Sequence, residues 1–178
     1  MSARLQLREG TRRDHDQVDA AYAGFDLSTT RGYGEFLSAQ ARAFLPMEAA
    51  VERAGAALLF DDWDARRRGD LLRADLAELG LAPADLLEAP AFPSAAAVLG
   101  AVYVLEGSRL GGAVLRRAIP PGAPMRFLGG DEHGPRWRAL TQLLDERLTG
   151  APDLDAAVAA ARSVFQRFHD AAQMRVAA

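Results

Sequence analysis

A chain of 178 residues, nearly half of them apolar, is long enough for one domain with a sizeable core and too apolar to stay disordered. Its formal charge of −3 argues against a nucleic-acid binder or an anionic-membrane binder. It contains no cysteine, which excludes disulfides, thiolate catalysis and cysteine-ligated zinc or Fe–S centres and fits a reducing cytoplasm.

Ala and Leu dominate, β-branched residues are sparse, and apolar residues recur at helical spacing along most of the chain. A first helix is predicted from Ala3 to Tyr22, followed by a connector from Gly24 to Thr30 in which Ser28 and Thr29 are candidate caps. A second helix spans Gly32 to Gly55, with Pro46 as a kink. A shorter helix runs from Arg66 to Leu79 and stops at Gly80. Pro83 to Pro93 reads as a connector. A long helix follows from Ser94 to Ala118 and ends before Pro120-Pro121. Gly122 to Gly134 reads as loop, Pro135 opens a helix to Leu148, and Asp153 or Asp155 opens a last, Ala-rich helix to Met174. No alternating strand pattern competes, and no internal repeat or low-complexity linker is present. The expectation is a single-domain, all-α bundle over residues 1–178. The N-terminal stretch has no apolar core of a signal peptide, and no run approaches about 18 apolar residues, so neither secretion nor a membrane span is expected.

The first helix carries a histidine among arginines. On a wheel at roughly 100° per residue, His15 shares a face with Arg8, Thr11 and Arg12 and, one turn later, with Asp19. Leu7, Val18 and Tyr22 lie on the same side. Neutral imidazole binds iron, apolar neighbours hold a porphyrin, and a nearby carboxylate orients the ring, so the pattern suits an axial haem ligand. Arginines beyond it suit pairing with propionates. The same residues also suit the solvated face of a charged amphipathic helix, and the segment alone does not choose between the two. Of the other histidines, His133 is expected in an exposed loop and His169 at the edge of the last helix's apolar face.

The long helix carries glycines in its interior. Gly107, Gly111 and Gly112 fall within two turns, and together they cost about 3 kcal/mol relative to alanine. Gly100 extends the side formed by Gly107 and Gly111. Missing side chains permit close approach to the backbone. Either another helix packs into this groove or a flat ligand lies against it. Glu106, Ser108 and Arg109 set polar groups beside the glycines.

These two segments together resemble a known family. LREGTRRDHDQ, with the T-x-x-x-H core from Thr11 to His15, resembles the haem-ligand helix of haem oxygenases. YVLEGSRLGG resembles the distal helix of the bacterial haem oxygenases, particularly those associated with bacteriophytochromes. Weaker similarity runs through LLRADLAELG and the last helix, so the resemblance covers most of the chain. It implies the haem oxygenase-like helical fold, with His15 as the proximal iron ligand and Asp19 bonded to its second ring nitrogen. Arg8 and Arg12, beside Thr11, match basic positions near the propionates, and Arg138 matches a further one. Gly107, Gly111 and Gly112 match glycines that touch the distal haem face, and Phe165 matches a pocket aromatic. The mammalian-type enzymes carry an aspartate where this chain has Ser108, whereas the bacteriophytochrome-linked branch resembles this chain in using serine there.

The activity implied is opening of haem to biliverdin, carbon monoxide and ferrous iron, with haem as both cofactor and substrate. It requires O₂ and external electrons. No dinucleotide-binding glycine motif is present, so a separate reductase, a ferredoxin or a small reductant is the expected donor. A bacteriophytochrome is the implied acceptor of the bilin. The alternative is a non-catalytic haem carrier or sensor on the same scaffold.

Overall fold

The structure, a computed structural model, describes residues 2–129 and 133–174, apart from the side chains of Leu110, Ala113 and His133. Its helices are α1 (Ala3–Tyr22), α2 (Thr30–Arg53), α3 (Trp63–Arg66), α4 (Gly69–Glu78), α5 (Ala95–Leu115), α6 (His133–Arg147) and α7 (Ala151–Gln173). Short 3₁₀ turns at Ala56–Leu58 and Arg116–Ala118 follow α2 and α5. No strand occurs among the described residues.

Caps set several boundaries. The hydroxyls of Ser2, Thr29 and Ser94 accept from the backbone N–H groups of Leu5, Gly32 and Ala97 and so start α1, α2 and α5. The chain leaves α4 through Gly80 at φ +72°, where Gly80 and Leu81 donate back to the carbonyls of Ala77 and Leu76. α2 runs through Pro46 to Arg53. α7 starts at Ala151, before the expected Asp153, because Gly150 caps it and Pro152 occupies its first turn. α6 starts at His133, before the expected Pro135. The loop expected before it includes residues 130–132, and the expected exposure of the His133 side chain likewise lies outside the described residues.

One expectation is corrected. The helix predicted from Arg66 to Leu79 is two helices, α3 and α4, broken at Arg67 and Arg68. Glu48 of α2 accepts from the backbone N–H of Arg68 at 2.6 Å and of Gly69 at 2.8 Å. These two donors are satisfied by a carboxylate in place of the preceding helical turn.

α7 packs against α1, α2 and α5, and its buried alanines (Ala157, Ala160, Ala161, Ala171 and Ala172) let those helices come close. Gly10 of α1 faces Val158, and Gly100 of α5 faces the carbonyl of Ala157, where an added Cβ would lie far inside contact distance. α6 bridges α1 and α5, and the N–H of Ala3 donates to Asp145 of α6 at 2.6 Å. α1 and α5 themselves scarcely touch, so a cleft opens between them over α7.

Candidate active site

α1 and α7 lie side by side in the same sense. Gly10 meets Val158, and farther along His15 meets Phe165 edge-on with ring centroids 5.7 Å apart. Arg162 holds this register by donating to the Gly10 carbonyl at 2.9 Å and lying 3.6 Å from Asp14. Beyond this seam lies a cleft of about 680 Å³, within the size range of small-molecule sites of roughly 300–1,000 Å³.

His15 lies on the α1 wall. Its Nδ1 lies 3.3 Å from Asp19 Oδ2, so the carboxylate orients the ring and leaves Nε2 as the second nitrogen. The imidazole is 57% exposed, so access to it is open. Thr11 is buried one turn earlier, its hydroxyl donating to the Leu7 carbonyl at 2.7 Å. Arg8 and Arg12 lie along the same wall, with Arg12 paired to Glu9. Val18 and Tyr22 continue the wall, and Phe165 and Phe168 form the floor.

Across the cleft stands α5 with Tyr103, Val104, Gly107, Ser108, Gly111 and Leu115. Among the described residues, an added Cβ on Gly111 would meet nothing within 4 Å, and one on Gly107 would meet only the Trp137 ring at 3.7 Å. Apart from the Trp137 ring of α6 beside Gly107, nothing among the described residues packs against these two glycines, so they present backbone to the cleft. Opposed imidazole and bare helical backbone, separated by apolar walls, can hold a flat ligand whose metal faces the imidazole.

The structure thus brings His15, Arg8, Thr11, Arg12, Asp19, Gly107, Ser108, Gly111 and Phe165 together. Two expected residues stand elsewhere. Gly112 is buried against Leu128, whose carbonyl would lie 3.3 Å from an added Cβ, so it seats the loop after α5. Arg138 is exposed on α6 with its guanidinium over Gly134, while its neighbour Trp137 enters the cleft. His169 lines no part of the cleft and lies 3.8 Å from Asp170.

Residues that sequence reasoning missed complete the lining. Arg4 precedes Arg8 by one turn, and that spacing was a usable signal. Burial pushes the Tyr103 hydroxyl upward from the ordinary tyrosine range, opposed by Arg4 and Arg8. Trp137 stacks obliquely on Tyr103 with centroids 5.7 Å apart. Behind the α5 wall lies Arg68, 2% exposed, which donates to the Ser108 hydroxyl at 2.7 Å and to the Leu105 carbonyl at 2.6 Å. Burial, with repulsion from Arg109, lowers its pKa to about 9, so it stays charged at neutral pH.

No protein-family model matches the chain. A haem oxygenase of Xanthomonas campestris pv. campestris is 39% identical over 118 residues, which span 63% of this chain and 71% of that protein. Among solved structures, the NO- and CO-bound haem oxygenase of Neisseria meningitidis superposes with a TM-score of 0.83 at 21% identity, covering 97% of this chain and 91% of that one. The haem oxygenase of Leptospira interrogans superposes with a TM-score of 0.73 at 19% identity, covering 97% and 98%. These two structures share the fold of this chain.

Proposed function

The chain belongs to the haem oxygenase family, and from that premise we propose that it opens haem to biliverdin, carbon monoxide and ferrous iron, with His15 as the iron ligand. The observation that carries this reading is the opposition of His15, oriented by Asp19, to the bare backbone of Gly107 and Gly111 across an apolar cleft. Bound haem supplies the iron at which O₂ is activated and the ring that is opened.

The chain's own residues perform binding and orientation. Asp19 fixes the His15 tautomer by accepting a hydrogen bond from Nδ1–H, which leaves Nε2 for the metal. Arg8 and Arg12, joined by Arg4, hold the propionates at the rim. Val18, Phe165, Phe168 and Trp137 enclose the apolar edge of the ring. Gly107 and Gly111 leave room at the distal face, and Ser108 offers a hydroxyl there. Electrons come from a separate reductase, a ferredoxin or a small reductant. Membership in the bacteriophytochrome-associated branch, and with it a bacteriophytochrome as bilin acceptor, is part of the same proposal and rests on Ser108 within YVLEGSRLGG. A cytoplasmic site of action follows from the same reading. Among the described residues no helix is long and apolar enough to cross a membrane.

The test is incubation with haem and ascorbate in air. Loss of the Soret band with growth of a bilin band is the expected result. An unchanged Soret band would identify a carrier or sensor instead. His15→Ala should abolish turnover, and added imidazole should restore an axial-ligand spectrum. Loss of that spectrum in His169→Ala, with His15→Ala unaffected, would overturn the ligand assignment.

A further inference from the structure

Arg68 belongs to neither segment that carries the family resemblance. It sits at the break between α3 and α4, and Glu48 fixes its backbone there. Its guanidinium lies between the rings of Phe44 and Phe127, with its carbon 4.8 Å from each centroid. Nη1 donates to the Phe127 carbonyl at 3.4 Å, while Nη2 donates to the Leu105 carbonyl and to Ser108 Oγ. The fork is therefore held on both faces and at both ends, and one of its bonds reaches the wall of the cleft.

Arginine has donors and no acceptor, so Ser108 Oγ must be the acceptor in this bond. The Ser108 hydroxyl proton then has two directions. One is the Leu105 carbonyl, 2.7 Å away. The other is the cleft that Ser108 lines. Turning toward the cleft leaves Leu105 still bonded to Arg68, so no buried carbonyl is orphaned by the move. A charged donor on Oγ also polarises the O–H bond and makes it the stronger donor.

We propose that Arg68 is a positioning residue, which fixes the Ser108 oxygen and frees and polarises its proton for donation into the cleft. Ser108 thereby gains part of the donor strength that its neutral hydroxyl lacks. The identity of the acceptor, a ligand on haem iron, rests on the function proposed above, whereas the Arg68–Ser108 link does not.

Two measurements test it. In the ferric haem complex, the pH of the water–hydroxide spectral transition reports donors that face the ligand. Arg68→Met should raise that transition by roughly half a unit or more, about a threefold change in the protonation constant. In a Ser108→Ala background the same substitution should add no further shift. An equal shift in both backgrounds would show a plain charge effect through space and overturn the proposal, as would no shift in either. The second measurement leaves Arg68 in place and needs no haem. Exchange of its guanidinium protons, followed by NMR in the full-length apoprotein, should quicken several-fold in Ser108→Ala. Unchanged exchange would overturn the link, including where Arg68→Met fails to fold. Failure of the wild-type chain to bind haem would instead overturn the functional reading, leaving the exchange result to stand on its own.

Discussion

Gly100 and Gly111 lie near one face of α5 and meet opposite surroundings. At Gly100 the backbone of α7 fills the space that a Cβ would need, while at Gly111 nothing among the described residues lies within 4 Å of it. A helix-interior glycine costs the same intrinsic helix stability at either position. What offsets that cost differs. At Gly100 close packing with the Ala-rich α7 offsets it, because the Gly allows two backbones to approach. At Gly111 no packing among the described residues offsets it, which is what the proposed ligand site would account for. Of the two explanations that the sequence leaves open for this helix, close helix packing holds at Gly100, and a ligand against the backbone is the reading proposed for Gly111.

The comparison breaks most directly at Gly100. Gly100→Ala drives a methyl group into the Ala157 carbonyl, and neither backbone has a flexible end to move. Overpacking of this kind costs about 1–3 kcal/mol and sometimes more, against a helix gain of about 1 kcal/mol. The apoprotein should melt several degrees lower, at about 2–4 °C per kcal/mol for a chain of this size. Haem affinity, measured where the variant is still folded, should change little. A Gly100→Ala variant as stable as the parent would mean that α5 and α7 do not meet as described.

Gly111→Ala sharpens the contrast, since the added methyl group meets no described residue. Apoprotein stability should hold or rise by up to about 1 kcal/mol, while haem affinity and bilin formation fall as the methyl group occupies the distal face. Calorimetry of the apoprotein beside a haem titration reads both. A lowered apoprotein melting temperature with normal haem turnover would move Gly111 into the same class as Gly100.

Much of this arrangement was legible in the chain. The bounds of α1 follow from one amphipathic run behind a capping serine, and the His15–Asp19 pair follows from helical spacing alone. The interior glycines of α5 announced themselves through their cost, and the two segments that carry the family resemblance line the same cleft. Arg68 was not legible. In RRRGD it reads as part of a solvated charge run, because local pattern gives no sign that Phe44, Glu48, Leu105 and Phe127 converge on it. Those partners lie in other helices and loops, and only tertiary packing makes a buried guanidinium tolerable. Arg138 shows the converse: the resemblance pointed to it, whereas the helix leaves it exposed and its neighbour Trp137 lines the cleft.

Gly112 gives the smallest effect and the finest test. It adjoins Gly111 in sequence, yet a turn of roughly 100° per residue carries it off the cleft wall and toward Leu128. A Cβ there would lie 3.3 Å from the Leu128 carbonyl, 3.6 Å from its Cδ2 and 3.7 Å from its Cα. Only the carbonyl contact is tight, and Leu128 belongs to the segment between α5 and α6, outside any helix. A shift of a few tenths of an ångström relieves it. That relief costs a fraction of the penalty expected at Gly100, and the helix gain of about 1 kcal/mol opposes it. Gly112→Ala should therefore lie within about 1 kcal/mol of the parent in apoprotein stability, with haem affinity and bilin yield unchanged. A loss of haem affinity comparable to that of Gly111→Ala, with normal apoprotein stability, would return Gly112 to the cleft wall and show that α5 is rotated from the orientation described.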